Sequence, residues 1–219
     1  MAAVSAGALV SCTEQVSRPE KTSEPTITRS PSAEPTPTPT PTGPMISDGQ
    51  PRNARLTIPA IGVDDLRVIA YRGSTDDSRG TVIQNRGRAA SPHGPDGGVG
   101  PGGKGNYQVT AHRLSSTQAF LKLPRLRRGD RVEVDAGDVR YVYEVTGTRR
   151  TSFRSPASLD KQRAEVPGKP GAVADRAYIT LSTCLTPEDH AAGNFWSDQF
   201  GNPEHRVDKI GELVDTEPS

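Results

Sequence analysis

From residue 53 onward, apolar and polar positions alternate with a period of two rather than 3.6, which predicts strands instead of helices. Arg55–Ile58 is a short strand closed by Pro59, and Leu66–Ala70 and Thr81–Gln84 read as two more. Tyr107–His112 is a fourth, and a short helix is expected over Thr117–Leu123. Asp130–Asp135 and Val139–Thr146 flank Gly137-Asp138, a two-residue link that signals a tight hairpin. Tyr178–Cys184 and His205–Val214 complete a set of eight. Eight short strands with one or two short helices predict an all-β domain, an eight-stranded closed β-barrel in which no edge strand is left unpaired.

The first 52 residues follow a different pattern. Residues 13–51 hold 9 of the 20 prolines and 8 threonines, and Pro alternates with Thr from Pro35 to Thr42. Proline fixes φ and lacks an N–H, so this stretch can join neither helix nor sheet. It is expected to be a disordered, extended stalk, reaching about 3.1 Å per residue where fully drawn out. The chain therefore divides into a leader (1–12), a Pro/Thr-rich linker (13–52) and a folded domain (53–219).

Composition narrows the function. The 219 residues carry 27 Lys+Arg against 26 Asp+Glu, a net charge of +1, which argues against nucleic acid as a partner. Two cysteines cannot build a disulfide scaffold or a four-ligand zinc site. No run of 18 apolar residues offers a spanning helix. The leader lacks a basic n-region, yet Leu9-Val10-Ser11-Cys12 resembles a bacterial lipobox, which makes Cys12 a lipidation candidate. Anchor, spacer and domain then form one mechanical series at a membrane surface; the alternative is an ordinary exposed cysteine in a tail.

Residues 94–105 contain 7 glycines in 12. No Gly-Lys-Ser/Thr follows, and a strand rather than a helix comes next, so a phosphate cradle is excluded. The stretch is expected to be a flexible connector.

Three residues carry candidate chemistry. Cys184 and His112 each end an apolar strand, and Arg206 opens the last one. A thiol with an ordinary pKa of about 8.5 is mostly protonated at neutral pH, and a neighbouring imidazolium favours the thiolate. The imidazole can then protonate a leaving amine. Guanidinium cannot act as a base but can stabilise a developing oxyanion. Strand alternation puts Ile179 and Leu181 on one face and Thr180, Ser182 and Cys184 on the other, with Thr110 and His112 likewise opposite Val109 and Ala111. The polar faces are expected to line a substrate groove, with Thr110, Ser182, Thr183 and Trp196 as binding candidates. A buried Cys184 that only packs remains the alternative.

These residues resemble the sortase family of Gram-positive cysteine transpeptidases. The similarity spans most of Leu56–Val214: Ile58-Pro-Ala-Ile-Gly-Val63, Gly105-Asn-Tyr-Gln-Val-Thr-Ala-His-Arg113, Leu126-Arg-Arg-Gly-Asp130 and, most specifically, Thr180-Leu-Ser-Thr-Cys184, which resembles the TLxTC signature. The resemblance, closest to actinobacterial class E or class F enzymes, implies Cys184 as nucleophile, His112 as general acid/base and Arg206 as the substrate and oxyanion arginine. It further implies cleavage of an LPXTG- or LAXTG-type sorting signal on secreted proteins, transfer to a peptidoglycan amine, no need of a metal or organic cofactor, and an extracytoplasmic, membrane-tethered location. The residue before the histidine, often Gly in the family, is Ala111, and the Cys-to-Arg spacing is long. An L,D-transpeptidase is the second enzyme class considered; its His-Gly closely before the cysteine is replaced here by Thr180-Leu-Ser-Thr183. A non-catalytic, lipid-anchored binding module is the third reading.

Overall fold

The computed structural model describes Pro44–Ser219; the leader, Cys12 and the stalk up to residue 43 lie outside the described residues. Eight strands follow in order: β1 (Ala54–Ile58), β2 (Val63–Arg72), β3 (Ala89–His93), β4 (Gly105–Thr110), β5 (Arg131–Ala136), β6 (Val139–Ser152), β7 (Ala177–Cys184) and β8 (His205–Pro218). They close into a barrel ordered β1-β2-β3-β4-β7-β8-β6-β5. The β2–β3 and β4–β7 pairs are parallel and the rest antiparallel. A parallel pair needs a crossover rather than a hairpin. Helix α1 (Ser78–Asn85) lies in the β2–β3 crossover, and α2 (Pro156–Arg163) in the long return from β6 to β7.

The period-two pattern becomes the barrel interior. Leu56 and Ile58, Tyr107 and Val109, Val132 and Val134, Tyr143 and Val145, and Ile179 and Leu181 are buried in one apolar cluster. Burying each large aliphatic side chain is worth about 1.5–3 kcal/mol. The β5–β6 hairpin turns at the expected link, with Gly137 at φ 67° and Ala136 opposite Val139.

Four local expectations change. Thr81–Gln84 is not a strand but part of α1, capped by the Asp77 side chain, which accepts from the Gly80 N–H at 2.8 Å. Val82 is 50% exposed, so its β-branched side chain serves no core face. The eighth strand is instead β3, whose Ala89-Ala-Ser-Pro-His93 has no alternation to read. Thr117–Leu123 does not form a helix, because Gln118 stands at φ 53°, after Ser116 at 56°; it makes turns that end in a single 3-10 turn at Leu123–Arg125. The glycine-rich stretch is packed rather than loose. A Cβ on Gly100 would sit 1.9 Å from the Gln50 carbonyl oxygen, and one on Gly102 would sit 2.1 Å from the Tyr141 ring. The partner in the first contact belongs to residues 44–52, assigned above to the linker. This segment is bonded to the barrel: Gly100 N–H donates to Gly49 O (2.8 Å), Ser47 Oγ to Pro101 O (2.6 Å) and Met45 N–H to Thr216 Oγ1 (2.7 Å).

Candidate active site

Three strand ends converge at one rim. β4 and β7 run parallel with Thr110 opposite Ser182, and β7 and β8 run antiparallel with Cys184 opposite Arg206. His112 follows β4 by two residues. It is held there by Thr183 Oγ1 donating to Ala111 O (2.7 Å) and by Phe120 N–H donating to the His112 carbonyl (3.0 Å). His112 and Cys184 line the same cavity of about 280 Å³, together with Asn85, Leu114, Phe200 and Asn202. A larger cavity of about 600 Å³ lies against β2 and the Thr117–Lys122 turns, but it holds neither thiol nor imidazole, so size does not locate the chemistry.

Arg206 lies beneath the thiol, with its side chain 2% exposed. It donates from one terminal nitrogen to Cys184 Sγ at 2.9 Å, and its guanidinium carbon stands 4.4 Å over the Phe153 ring. Its Nε is 2.9 Å from Asp76 Oδ2. The N–H does not point along that line, so the contact is a charge pairing rather than a hydrogen bond. The second terminal nitrogen is buried without a partner. Burial opposes the arginine's charge, but Asp76 and Cys184 outweigh it and hold its pKa above the ordinary value.

Burial also pushes the Cys184 thiol above its ordinary 9.0, against the pull of Arg206. It pushes the His112 imidazole below 6.5, with Asp76 opposing and Arg206 adding to the shift. At neutral pH the resting pair is therefore thiol and neutral imidazole. His112 Nε2 is 2.7 Å from Asn85 Oδ1. With that oxygen accepting, the proton sits on Nε2 and Nδ1 is left basic.

The expected substrate residues fall elsewhere. Thr110, Ser182 and Thr183 are at most 1% exposed, and none lines the cavity. Gln84 Nε2 donates to Thr110 Oγ1 (3.3 Å), and Ser182 Oγ donates to Asp208 Oδ1 (2.7 Å). The polar strand face does point out of the barrel, but α1 and α2 cover it and make it a second, hydrogen-bonded interior. Trp196 stays half-buried under the Arg154 guanidinium, 5.8 Å from its ring centre, outside the cavity wall; Phe200, in the same connection between β7 and β8, takes the wall position. His190 stacks on Phe195 (4.9 Å), and His205 Nδ1 contacts Asp189 Oδ1 (2.8 Å), so neither reaches the thiol's cavity. Among the described residues, no group of three His, Cys, Asp or Glu side chains is disposed to hold a metal ion.

The sequence reading missed Asp76, Asn85 and helix α3 (Thr186–Ala191). Thr186-Pro-Glu-Asp189, with proline and acids in a first turn, is a helix-start signal that would have found the last. Nothing local marks the Asp76–Arg206 pairing across 130 residues of chain.

The family model described as Sortase domain matches residues 56–196. The chain belongs to the sortase family. Sortases are cysteine transpeptidases; Cys184 and His112 fall inside the matched range and Arg206 beyond it. Solved sortases share the fold. A SrtA sortase from Actinomyces oris is 18% identical, with 81% of this chain and 88% of that chain covered at a TM-score of 0.57. Sortase E from Streptomyces avermitilis is 24% identical, with 78% and 91% covered at 0.54. Sortase E1 from Streptomyces coelicolor, solved with a tripeptide in its active site, is 22% identical, with 80% and 94% covered at 0.54. The comparison with curated proteins finds no match.

Proposed function

We propose that this sortase cleaves an LPXTG- or LAXTG-type C-terminal sorting signal between Thr and Gly and transfers the new carboxyl end to a cell-wall amine. One observation carries the reading: a thiol held by a buried guanidinium, in a cavity shared with an imidazole. Cys184 Sγ attacks the Thr carbonyl carbon as its proton passes to His112. Arg206 stabilises charge on sulfur first, and its unpartnered terminal nitrogen is the donor left for the carbonyl oxygen. The C–N bond breaks, His112 returns the proton to the departing glycine amine, and an acyl-thioester remains. An acceptor amine then attacks the thioester, gives its proton to His112, and releases the thiol. Secreted proteins bearing the signal and a peptidoglycan amine are the two partners. An extracytoplasmic position, with Cys12 as the lipid-bearing residue, belongs to the same reading.

The test is a fluorescent panel of LPXTG and LAXTG peptides with wild type and Cys184→Ala. Wild type should cleave and Cys184→Ala should not; a wild type that neither cleaves nor forms a thioester with any peptide would falsify the reading. The pH profile adds a second check. With the thiol raised and the imidazole lowered, the thiolate–imidazolium form is a constant minority between the two. Activity should thus hold a plateau, with an acid limb below 6.5 and an alkaline limb above 9.0.

A further inference from the structure

We infer that Asp76 is a positioning residue that aims the Arg206 guanidinium at the reactive thiol, an inference that rests on the Cys184–Arg206 pair being the reactive one. The aspartate lies between β2 and α1, far from Arg206 in sequence, yet its side chain is 2% exposed and faces Nε at 2.9 Å. A guanidinium is a rigid plane, so a charge fixed beside Nε and a ring over one face limit where the terminal nitrogens can point. Asp76 is the charge, off the N–H direction, and Phe153 is the ring. What remains is one terminal nitrogen on Cys184 Sγ and one with no partner.

Asp76 is itself held from three directions. Gln84 Nε2 donates to Oδ1 (3.1 Å), and Asn202 Nδ2 donates to the Asp76 carbonyl (3.4 Å). The preceding Thr75 donates from Oγ1 to Gln162 Oε1 (3.1 Å). The backbone at Asp76 stands at φ 61°, a left-handed conformation that L side chains rarely adopt. Such a conformation persists only where the surroundings over-determine it, and here the carboxylate's approach to Nε is what it achieves. The charges acting on the thiol are Arg206, Asp76 and Arg113; those acting on His112 are Asp76 and Arg206. Asp76 is thus the one acid on both lists, and it opposes the thiolate even as it places the cation that supports it.

The experiment uses the folded chain with Asp76→Asn, Asp76→Glu, Arg206→Ala and the double variant Asp76→Asn/Arg206→Ala. Two readouts are taken: peptide turnover, and the pH dependence of Cys184 alkylation by iodoacetamide, which needs no peptide substrate. Asp76→Asn should lower kcat at least tenfold with KM changed less than threefold. Its alkylation profile should move to lower pH, because the carboxylate no longer opposes the thiolate. Asp76→Glu keeps the charge and so the fold, but displaces it; kcat should fall several-fold at constant KM. In the Arg206→Ala background, Asp76→Asn should lower kcat no further, and its shift of the alkylation profile to lower pH should be larger than in the parent, because loss of the placed cation no longer offsets the lost carboxylate charge. Wild-type or faster turnover in either Asp76 single variant overturns the proposal, and so does an alkylation shift of equal size in the two backgrounds or an added loss of turnover in the double variant. If no peptide is turned over by any form, the alkylation arm still decides whether Asp76 acts through Arg206, separately from the sortase chemistry.

Discussion

The two faces of the β4–β7–β8 sheet are both dry, but they are built on opposite principles. The inner face is apolar: Tyr107, Val109, Ile179 and Leu181 meet the barrel core. The outer face is polar and just as buried. Gln162 Nε2 and Ser182 Oγ donate to one oxygen of Asp208, and Thr151 Oγ1 donates to the other. Gln84 joins Thr110 to Asp76, and Asp76 meets Arg206. An apolar face is forgiving of small displacements, whereas a buried polar network fixes direction, because every unpaired member is costly. Cys184 sits at the end of the second kind of face.

Substitutions on either side can break that contrast. The largest effect is expected at the rim, where His112→Ala should cost roughly 10²–10⁴ in turnover. His112 is only half-buried and its side chain has one partner, so thermal melting should barely move. Arg206→Ala should lose activity and also about 3–5 kcal/mol of stability, because Asp76 is left charged and buried; urea melts alongside turnover separate the two. On the inner face, Leu181→Ala should cost about 2–5 kcal/mol, yet turnover per folded molecule should hold. If Leu181→Ala slowed turnover as much as His112→Ala does, the two faces would not be functionally distinct.

Acidity provides a subtler check on the polar face. Burial holds the Asp208 carboxyl above its ordinary 3.8, despite the hydrogen bonds from Thr151, Ser182 and Gln162. The folded state therefore keeps this proton to higher pH than the unfolded chain does. The resulting stability is fully present below 3.8 and is lost as pH rises through the raised folded value. Wild type should accordingly lose stability relative to Asp208→Asn as pH climbs from the acid side, as read by urea melts across pH. The smallest effect should come from Thr183→Val: about 1–3 kcal/mol for leaving the Ala111 carbonyl unpaired. Its KM should not change, and a raised KM would return Thr183 to the substrate-binding role first expected of it.

Much of the barrel was legible because alternation is a local signal. Seven of the eight strands announce themselves by it, and Thr180-Leu-Ser-Thr-Cys184 marks the thiol's strand end. β3 was not legible, since Ala89-Ala-Ser-Pro-His93 is buried almost throughout and lacks alternation. α1 was misread because Val82-Ile83 has strand chemistry in a segment whose helix is set by the Asp77 cap. Ser155-Pro156 carried a readable cap-and-proline signal for α2 that the strand pattern overshadowed. The misplacement of Thr110 and Ser182 has a deeper cause. Polarity reports what a side chain bonds to, not whether water is the partner, and here Gln84 and Asp208 take water's place. Asp76 was invisible for a related reason, since its meaning lies in a contact with a residue most of the chain away.

The seating of residues 44–49 sets how the domain carries load. Ile46 lies beside Ala177, where β7 begins, and Met45 is tied to Thr216 near the end of β8. Cys184 ends β7 seven residues later, roughly 23 Å away at strand spacing. A cargo covalently held on that sulfur and pulled away from residue 44 would draw β7 lengthwise against β4 and β8. Tension along the strands loads all the ladder hydrogen bonds at once, whereas tension across them would open the bonds one after another. The barrel is thus braced along the line between its N-terminal segment and Cys184.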